Sequence, residues 1–358
     1  MIVLNSPVKP NLKKLNKLLE QVNENSWYTN FGPLHSELTA KLEDYLGVKN
    51  LLLTNNGTSA LQVAAKAIGS RNLLATPFSF VATVSAFKWQ HDELGFADID
   101  KKSLNLSPEA IRLAYLKGCK ADTVVATHVY GNPCDVKSIG ELSEENNFQI
   151  IYDAAHAFGI KLGEDSVLNY GDASTLSFHA TKIFHTVEGG AIVFKNSDNF
   201  DRAKELINFG IRQGGRVVDV GINAKLNEYQ AAVGLVNLEE IDNILNHRSE
   251  LFHQYCEGLK GVVEIPQWHP QANTNGAYMP ILLENGRQMK TVANSLKANN
   301  IQSRNYFEPS LDQIFVDSHN YGTKNSIAAS ERILCLPMHA YLTSYEVSSV
   351  IEKVKCLV

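Results

Sequence analysis

Two rhythms of apolar residues alternate along the first two thirds of this chain. Leu51-Leu52-Leu53-Thr54, Leu73 to Thr76, Leu94 to Ala97, Thr123 to Val129 and Phe148 to Tyr152 are short, nearly continuous apolar runs bounded by turn residues. That is the pattern of strands buried on both faces. Between them the spacing changes to three and four. Leu34, Leu38, Leu42, Tyr45 and Leu46 make one helical stripe, with Gly47 placed to end it. Similar spacing predicts helices over Leu12 to Val22, Gln62 to Ile68 and Val81 to Trp89, one from Ser107-Pro108 to Leu116, and one capped by Asp135 and running to Glu145. Strand and helix in strict alternation predict an α/β fold, with a mainly parallel sheet covered on both faces and ligands at the carboxyl ends of its strands.

From Ala224 to Leu245 the pattern predicts a long helix leaving this layered part. Residues 1–245 are therefore expected to form a large domain and residues 246–358 a smaller α+β C-terminal domain. Its start is punctuated by Gly258, Gly261, Pro266 and Pro270, and its strands are expected at Ala277 to Leu283 and Ile333 to Leu336.

Composition narrows the function. The 358 residues are 44% hydrophobic and 20% charged, with a formal charge of −5 and no long basic run, which argues against nucleic acid as the main partner. No apolar run reaches the length of a membrane span, and Met1 to Glu20 lacks the order of a signal peptide, so a cytoplasmic location is expected. The five cysteines are scattered without a Cys-x-x-Cys pair, as reduced thiols rather than disulfides or a zinc site would be.

Chemistry is suggested at three strand ends. Asn55-Asn56-Gly57-Thr58-Ser59 joins a strand to a helix, where backbone N–H groups, two hydroxyls and the helix dipole converge on an anion. Gly57, Thr58 and Ser59 thus suit a phosphate, although Thr58 or Ser59 would serve equally as an ordinary helix cap. Asp153 closes a buried strand beside Ala154, Ala155 and His156. It reads as the partner of a pyridine nitrogen, or as a cap or ion-pair member. Lys182 lies in the polar turn between Ala173 to Ser177 and Gly189 to Phe194. Burial there would favour its neutral amine, the form that attacks a carbonyl and makes a Schiff base. Phosphate turn, ring-pairing aspartate and Schiff-base lysine together describe a pyridoxal 5'-phosphate (PLP) site. No Gly-x-Gly-x-x-Gly follows the first strand, against a dinucleotide-dependent dehydrogenase.

On Asn56-Gly57-Thr58-Ser59-Ala60-Leu61, Phe78-Ser79-Phe80-Val81-Ala82-Thr83, Val129-Tyr130-Gly131, Tyr152 to Gly159, Ser177-Phe178-His179-Ala180-Thr181-Lys182 and Glu188-Gly189-Gly190-Ala191, nearly the whole chain resembles the DegT/DnrJ/EryC1/StrS sugar aminotransferases. The resemblance implies the aspartate aminotransferase-like fold (fold type I), with a mainly parallel seven-stranded sheet in the large domain. It implies Lys182 as the cofactor lysine, Asp153 on the ring nitrogen, Phe80 stacked on the ring and His156 beside the ring hydroxyl. Ser177 would join Gly57, Thr58 and Ser59 at the phosphate, with no metal involved. Gly221-Ile222-Asn223-Ala224-Lys225-Leu226 is similar to a family segment whose asparagine reaches the phosphate of a neighbouring subunit, so Asn223 is expected to act in trans within a homodimer. Ala224 and Lys225 replace the family's common tyrosine and arginine. Phe31, Lys225, Arg304 and Tyr306 are the candidate substrate contacts.

Trp27 to Pro33, the Ser-Phe-His-Ala-Thr-Lys form and Ser303 to Phe307 look most like the branch that aminates dTDP-4-keto-6-deoxyglucose to dTDP-4-amino-4,6-dideoxyglucose, with L-glutamate as donor. Amination at carbon 3 of a similar dTDP-linked keto sugar is the alternative. So is a dehydratase, which in this family carries histidine at the lysine position and which Lys182 argues against. A non-catalytic binding protein of the same fold is the last. Surface polysaccharide synthesis, such as O-antigen, is the role the family implies.

Overall fold

Twelve strands are found in the computed structural model, which describes residues 1–90, 93–212 and 214–358. They are β1 (Leu51–Thr54), β2 (Asn72–Ala75), β3 (Glu93–Phe96), β4 (Thr123–Thr127), β5 (Gln149–Asp153), β6 (Lys161–Leu162), β7 (Asp165–Ser166), β8 (Ala173–Ser177), β9 (Gly190–Phe194), β10 (Met279–Leu282), β11 (His319–Asn320) and β12 (Ile333–Leu336). Eight of them form one sheet in the order β1-β9-β8-β5-β4-β2-β3-β11. Only β9 runs against the rest, pairing antiparallel with both β1 and β8. Thr54, Ala75, Thr127, Asp153 and Ser177, the last residues of β1, β2, β4, β5 and β8, consequently line one edge.

Two sequence expectations need correction. The sheet has eight strands rather than seven, because β11 from the C-terminal third adds parallel to β3. A two-residue strand of His and Asn leaves no hydrophobic pattern to read. The expected helix from Ala224 to Leu245 is instead two helices, Glu228–Leu238 and Ile241–Gly258. Asn227 caps the first through a reciprocal box with Gln230, so the helix starts four residues later than apolar spacing alone suggests.

Alternation within the strands sends neighbours to opposite faces. Leu51 and Leu53 join the core with Leu38, Leu42, Phe178 and Phe184, whereas Leu52 joins Ala60, Ala64, Val84 and Phe87. β10 and β12 pair antiparallel, and with Ile241–Gly258 and Ser344–Lys355 they enclose a third core. A mixed cluster of Phe78, Val129, Tyr130, Phe307 and Cys335 joins the two parts.

The first ten residues form an arm across both parts. Ile2 bridges Ile301 in parallel, and the Met338 N–H donates to the Leu4 carbonyl. The Asn5 amide then donates to the Thr181 carbonyl, and His185 Nε2 donates to the Val8 carbonyl at 2.8 Å. The chain start thereby grips the turn that carries Lys182 at both ends.

Candidate active site

The phosphate turn is tighter than its sequence suggests. The helix begins at Gly57 itself and runs to Ile68, and its cap is Asn56, whose Oδ1 accepts from the Ser59 N–H at 2.8 Å and the Ser59 hydroxyl at 3.1 Å. Capping by Thr58 or Ser59 is thus ruled out. Ser59 is spent on Asn56, while Thr58 is exposed and its hydroxyl has no partner among the described residues. The first-turn N–H groups of Gly57 and Thr58 have no intrahelical acceptor and suit an anion. A Cβ on Gly57 would lie 2.9 Å from Cβ of Ser177, so only glycine brings the end of β8 this close to the helix start.

Asp153 ends β5 and is buried. Its Oδ1 accepts from the Ala155 N–H at 3.1 Å and its Oδ2 from the Thr83 hydroxyl at 2.6 Å. Behind Thr83 stands a row of buried hydroxyls: Ser79 Oγ lies 2.7 Å from Thr83 Oγ1 and 3.1 Å from Thr127 Oγ1. Thr83 gives its only proton to the carboxylate and so accepts from Ser79, which in turn accepts from Thr127. Desolvation raises the Asp153 pKa; the Thr83 and Ala155 donors and the Lys182 charge pull it back. A buried carboxylate with unused lone pairs is an acceptor waiting for a cationic N–H.

Lys182 is half-buried in the turn between β8 and β9. Ile183 and Phe184, which follow it, are buried, and the Phe184 ring meets Phe178 edge-on and stacks on Phe158, both at 4.8 Å. This anchoring holds the lysine over the sheet edge. Desolvation lowers its pKa to about 8, against the opposing pull of Asp153. Burial thus shifts this amine toward its neutral form.

His156 accepts the Tyr130 N–H on Nδ1 at 3.2 Å, and burial holds its pKa well below the usual value. It is therefore neutral, with its proton on Nε2 as a donor. Ala155, His156, Ser177, Thr181, Lys182 and Tyr278 line one cavity. Phe80, at the end of the turn after β2, is 51% exposed, an aromatic face left uncovered at the same sheet edge. These groups fit PLP: an anion cradle at one end, an acceptor for a pyridinium N–H, a donor for a ring oxygen and a free amine.

The remaining candidates divide. Tyr306 packs edge-on against Tyr278 at 5.6 Å, and Arg304 lies over the Tyr306 ring at 4.7 Å, so this pair extends the cavity wall outward. Phe31 packs edge-on on His35, and no contact among the described residues joins it to Lys182 or Asp153. Asn223 is exposed, with its backbone carbonyl facing Asn55 at 3.3 Å. Lys225 is buried and its amine is engaged by Asn208 and Asn223. Sequence reasoning gave no role to Tyr278 or Thr127; Ser79 and Thr83 were visible only as parts of one motif. Both histidines flanking Lys182 have other work: His185 holds the arm, and His179 Nδ1 lies 2.8 Å from the Thr181 hydroxyl.

A layered α/β fold with a lysine, a buried carboxylate and a phosphate cradle at one sheet edge defines a PLP-dependent enzyme. The chain belongs to the DegT/DnrJ/EryC1/StrS aminotransferase family, which it matches over residues 11–355. It is 38% identical to the dTDP-4-amino-4,6-dideoxy-D-glucose transaminase of Shigella dysenteriae, over 98% of both chains. It is 34% identical to the transaminase of the same name from Escherichia coli, over 95% of this chain and 94% of that one. The structure of DesI in the presence of its TDP-sugar product superposes with a TM-score of 0.92 at 26% identity, covering 99% of this chain and 92% of that one. The family, these relatives and the fold make the chain a sugar aminotransferase that uses PLP.

Proposed function

We propose that the protein transfers an amino group from L-glutamate to carbon 4 of dTDP-4-keto-6-deoxyglucose, giving dTDP-4-amino-4,6-dideoxyglucose, in the cytoplasm and for a surface polysaccharide. What carries this reading is full-length likeness to two transaminases of that name. No helix among the described residues is long and apolar enough to cross a membrane.

Bound PLP supplies a carbonyl carbon that takes up amines and a pyridinium ring that accepts an electron pair. The protein's residues do the rest. Gly57 and Thr58 N–H groups with the Thr58 and Ser177 hydroxyls bind the phosphate. Asp153 accepts the ring N–H, and its negative charge keeps that nitrogen protonated. His156 Nε2 donates to the ring oxygen, and Phe80 covers one ring face. Lys182 Nζ, when free and neutral, would take the proton from the donor's α-carbon and later deliver one to the sugar's carbon 4. Asn223 completes the phosphate site of a second copy, so the homodimer is the active unit.

The test is to incubate the enzyme with L-glutamate and dTDP-4-keto-6-deoxyglucose and determine the product by NMR. An amine on carbon 4 and an equivalent of 2-oxoglutarate are expected. Product aminated at carbon 3 only from a 3-keto sugar, or no amine transfer, overturns the proposal.

A further inference from the structure

The loop after β5, which carries His156, is stitched to one stretch of the C-terminal part. The Gly163 N–H donates to the Gln271 carbonyl at 3.0 Å, and Leu162 bridges Ala272. Asn273 Oδ1 accepts the Lys161 N–H at 2.7 Å, while its Nδ2 donates to the Gly159 carbonyl at 2.9 Å. Buried Asn275 reaches back to His156 itself. Its Nδ2 donates to the carbonyls of His156 at 2.9 Å and Phe158 at 3.0 Å, and its Oδ1 accepts the Ala277 N–H at 2.9 Å. Two carbonyls need protons and one N–H needs an oxygen, so the amide has a single orientation that serves all three. A Cβ on Gly131 would fall 2.8 Å from Asn275 Oδ1 and 2.9 Å from the His156 carbonyl oxygen, which shows how closely the segments meet.

Tyr278 continues the same stretch into the cavity that it shares with Lys182, and its ring centre lies 4.7 Å from that of His156. The approach to Tyr278 is held by Arg248, from the helix Ile241–Gly258. Arg248 Nε donates to the Gly276 carbonyl at 3.0 Å and Nη2 to the Ala277 carbonyl at 3.1 Å. This guanidinium is buried, no carboxylate among the described residues pairs with it, and burial pulls its pKa down to about 10. A buried charge without a counter-ion is costly, and here its hydrogen bonds fix the backbone that leads into the cavity. Around the His156 ring the titratable neighbours are Tyr130, Tyr278 and Lys182. The Tyr130 N–H fixes Nδ1; where Nε2 points then depends on where the His156 backbone is held.

We infer that Asn275 is a positioning residue for His156. By gripping the His156 carbonyl, while Arg248 holds Tyr278 against the imidazole, the C-terminal part aims the Nε2 proton at the ring oxygen of PLP. This rests on the reading that His156 donates to that oxygen, and adds to it the group that sets the donor's direction. The docking of one part of the molecule thereby tunes a group carried by the other.

The experiment follows the absorbance of the bound cofactor in the holoenzyme against pH. A donor at the ring oxygen favours the form in which that oxygen bears the fuller negative charge, after the proton it shares has left, so losing the donor's aim moves the midpoint to higher pH. Asn275→Ala should raise it by about one unit. Asn273→Ala removes two bonds from the same stretch but none at His156, and should leave the midpoint nearly unchanged. In a His156→Phe background Asn275→Ala should move it no further. Arg248→Lys keeps the charge without the two fixed donors and should raise it by less, which supplies the test if Asn275→Ala does not fold. Equal shifts in Asn273→Ala and Asn275→Ala, or a further shift in the His156→Phe background, would mean a merely structural role and overturn the inference. If His156→Phe moves the midpoint and neither Asn275→Ala nor Arg248→Lys does, the inference falls and the reading of His156 stands. If His156→Phe leaves the midpoint in place, both fall.

Discussion

Thr83 gives its only proton to Asp153, and that bond is the one most open to a clean test. Thr83→Val keeps the shape and removes a donor to the charged carboxylate, worth about 1.5–3 kcal/mol. Losing it disfavours ionisation, so the Asp153 pKa should rise by about one to two units. The acid limb of the kcat/KM profile should move up in pH by a similar amount, whereas an unmoved limb would show that Thr83 only packs. Lys182 makes the opposite kind of prediction. Its folded pKa, about 8, lies below that of a solvated lysine. Between those two values the unfolded chain holds a proton that the folded chain does not, so stability from this group rises with pH through that window. Apo wild type should gain on Lys182→Met in denaturation midpoint from pH 8 to 10. The same variant should lose about 100- to 10,000-fold in turnover through loss of its proton transfer alone.

Elements here are held at their ends by residues far away in sequence. The helix Pro33–Leu46 has Gly32 as its N-cap and no capping side chain of its own. Buried Glu228 fills the gap, accepting the Leu34 and His35 N–H groups at 2.8 Å each. A Cβ on Gly32 would fall 2.6 Å from the Glu228 carboxyl carbon, which accounts for glycine there. Glu228→Ala should leave two buried donors unsatisfied and destabilise the fold by about 2–4 kcal/mol, measured by chemical denaturation. A loss under about 0.5 kcal/mol would mean that water replaces the carboxylate.

Such long-range support explains what could be read from sequence. β1, the helix Pro108–Leu116 and β12 lie where their patterns predict, because burial on both faces or a Ser-Pro start writes itself into neighbouring residues. Asp153, Lys182 and the Gly57 turn were legible because each sits at the end of such an element. Tyr278 was not, since its place beside Lys182 depends on how the C-terminal part docks. Nor was β11, whose two polar residues owe their strand geometry to β3. The cap of the phosphate helix was misplaced by two or three residues, because Asn, Thr and Ser are all good caps and only geometry chooses among them.

At the scale of the whole molecule, the proposed dimer predicts complementation. Lys182→Ala puts its defect in the subunit's own site and Asn223→Ala in its neighbour's. Mixed dimers of the two contain one intact site and one doubly defective one. Refolding equal amounts together should therefore recover about a quarter of wild-type activity if Asn223→Ala alone is inactive, by random pairing. No recovery from demonstrably mixed dimers would place Asn223 in its own subunit's site.

The N-terminal arm carries a consequence for how the protein is born. Asn5 and Val8 steady the Lys182 turn, yet the arm itself is docked on Ile301 and Met338. Those partners leave the ribosome close to 300 residues after the arm does, and synthesis proceeds at about 5–20 residues per second. For roughly 15–60 seconds the nascent chain carries its lysine turn without this clasp. A chain halted before Ile301 should hold PLP more weakly than the longer chain in a cofactor titration, even with every residue of the primary cradle already made.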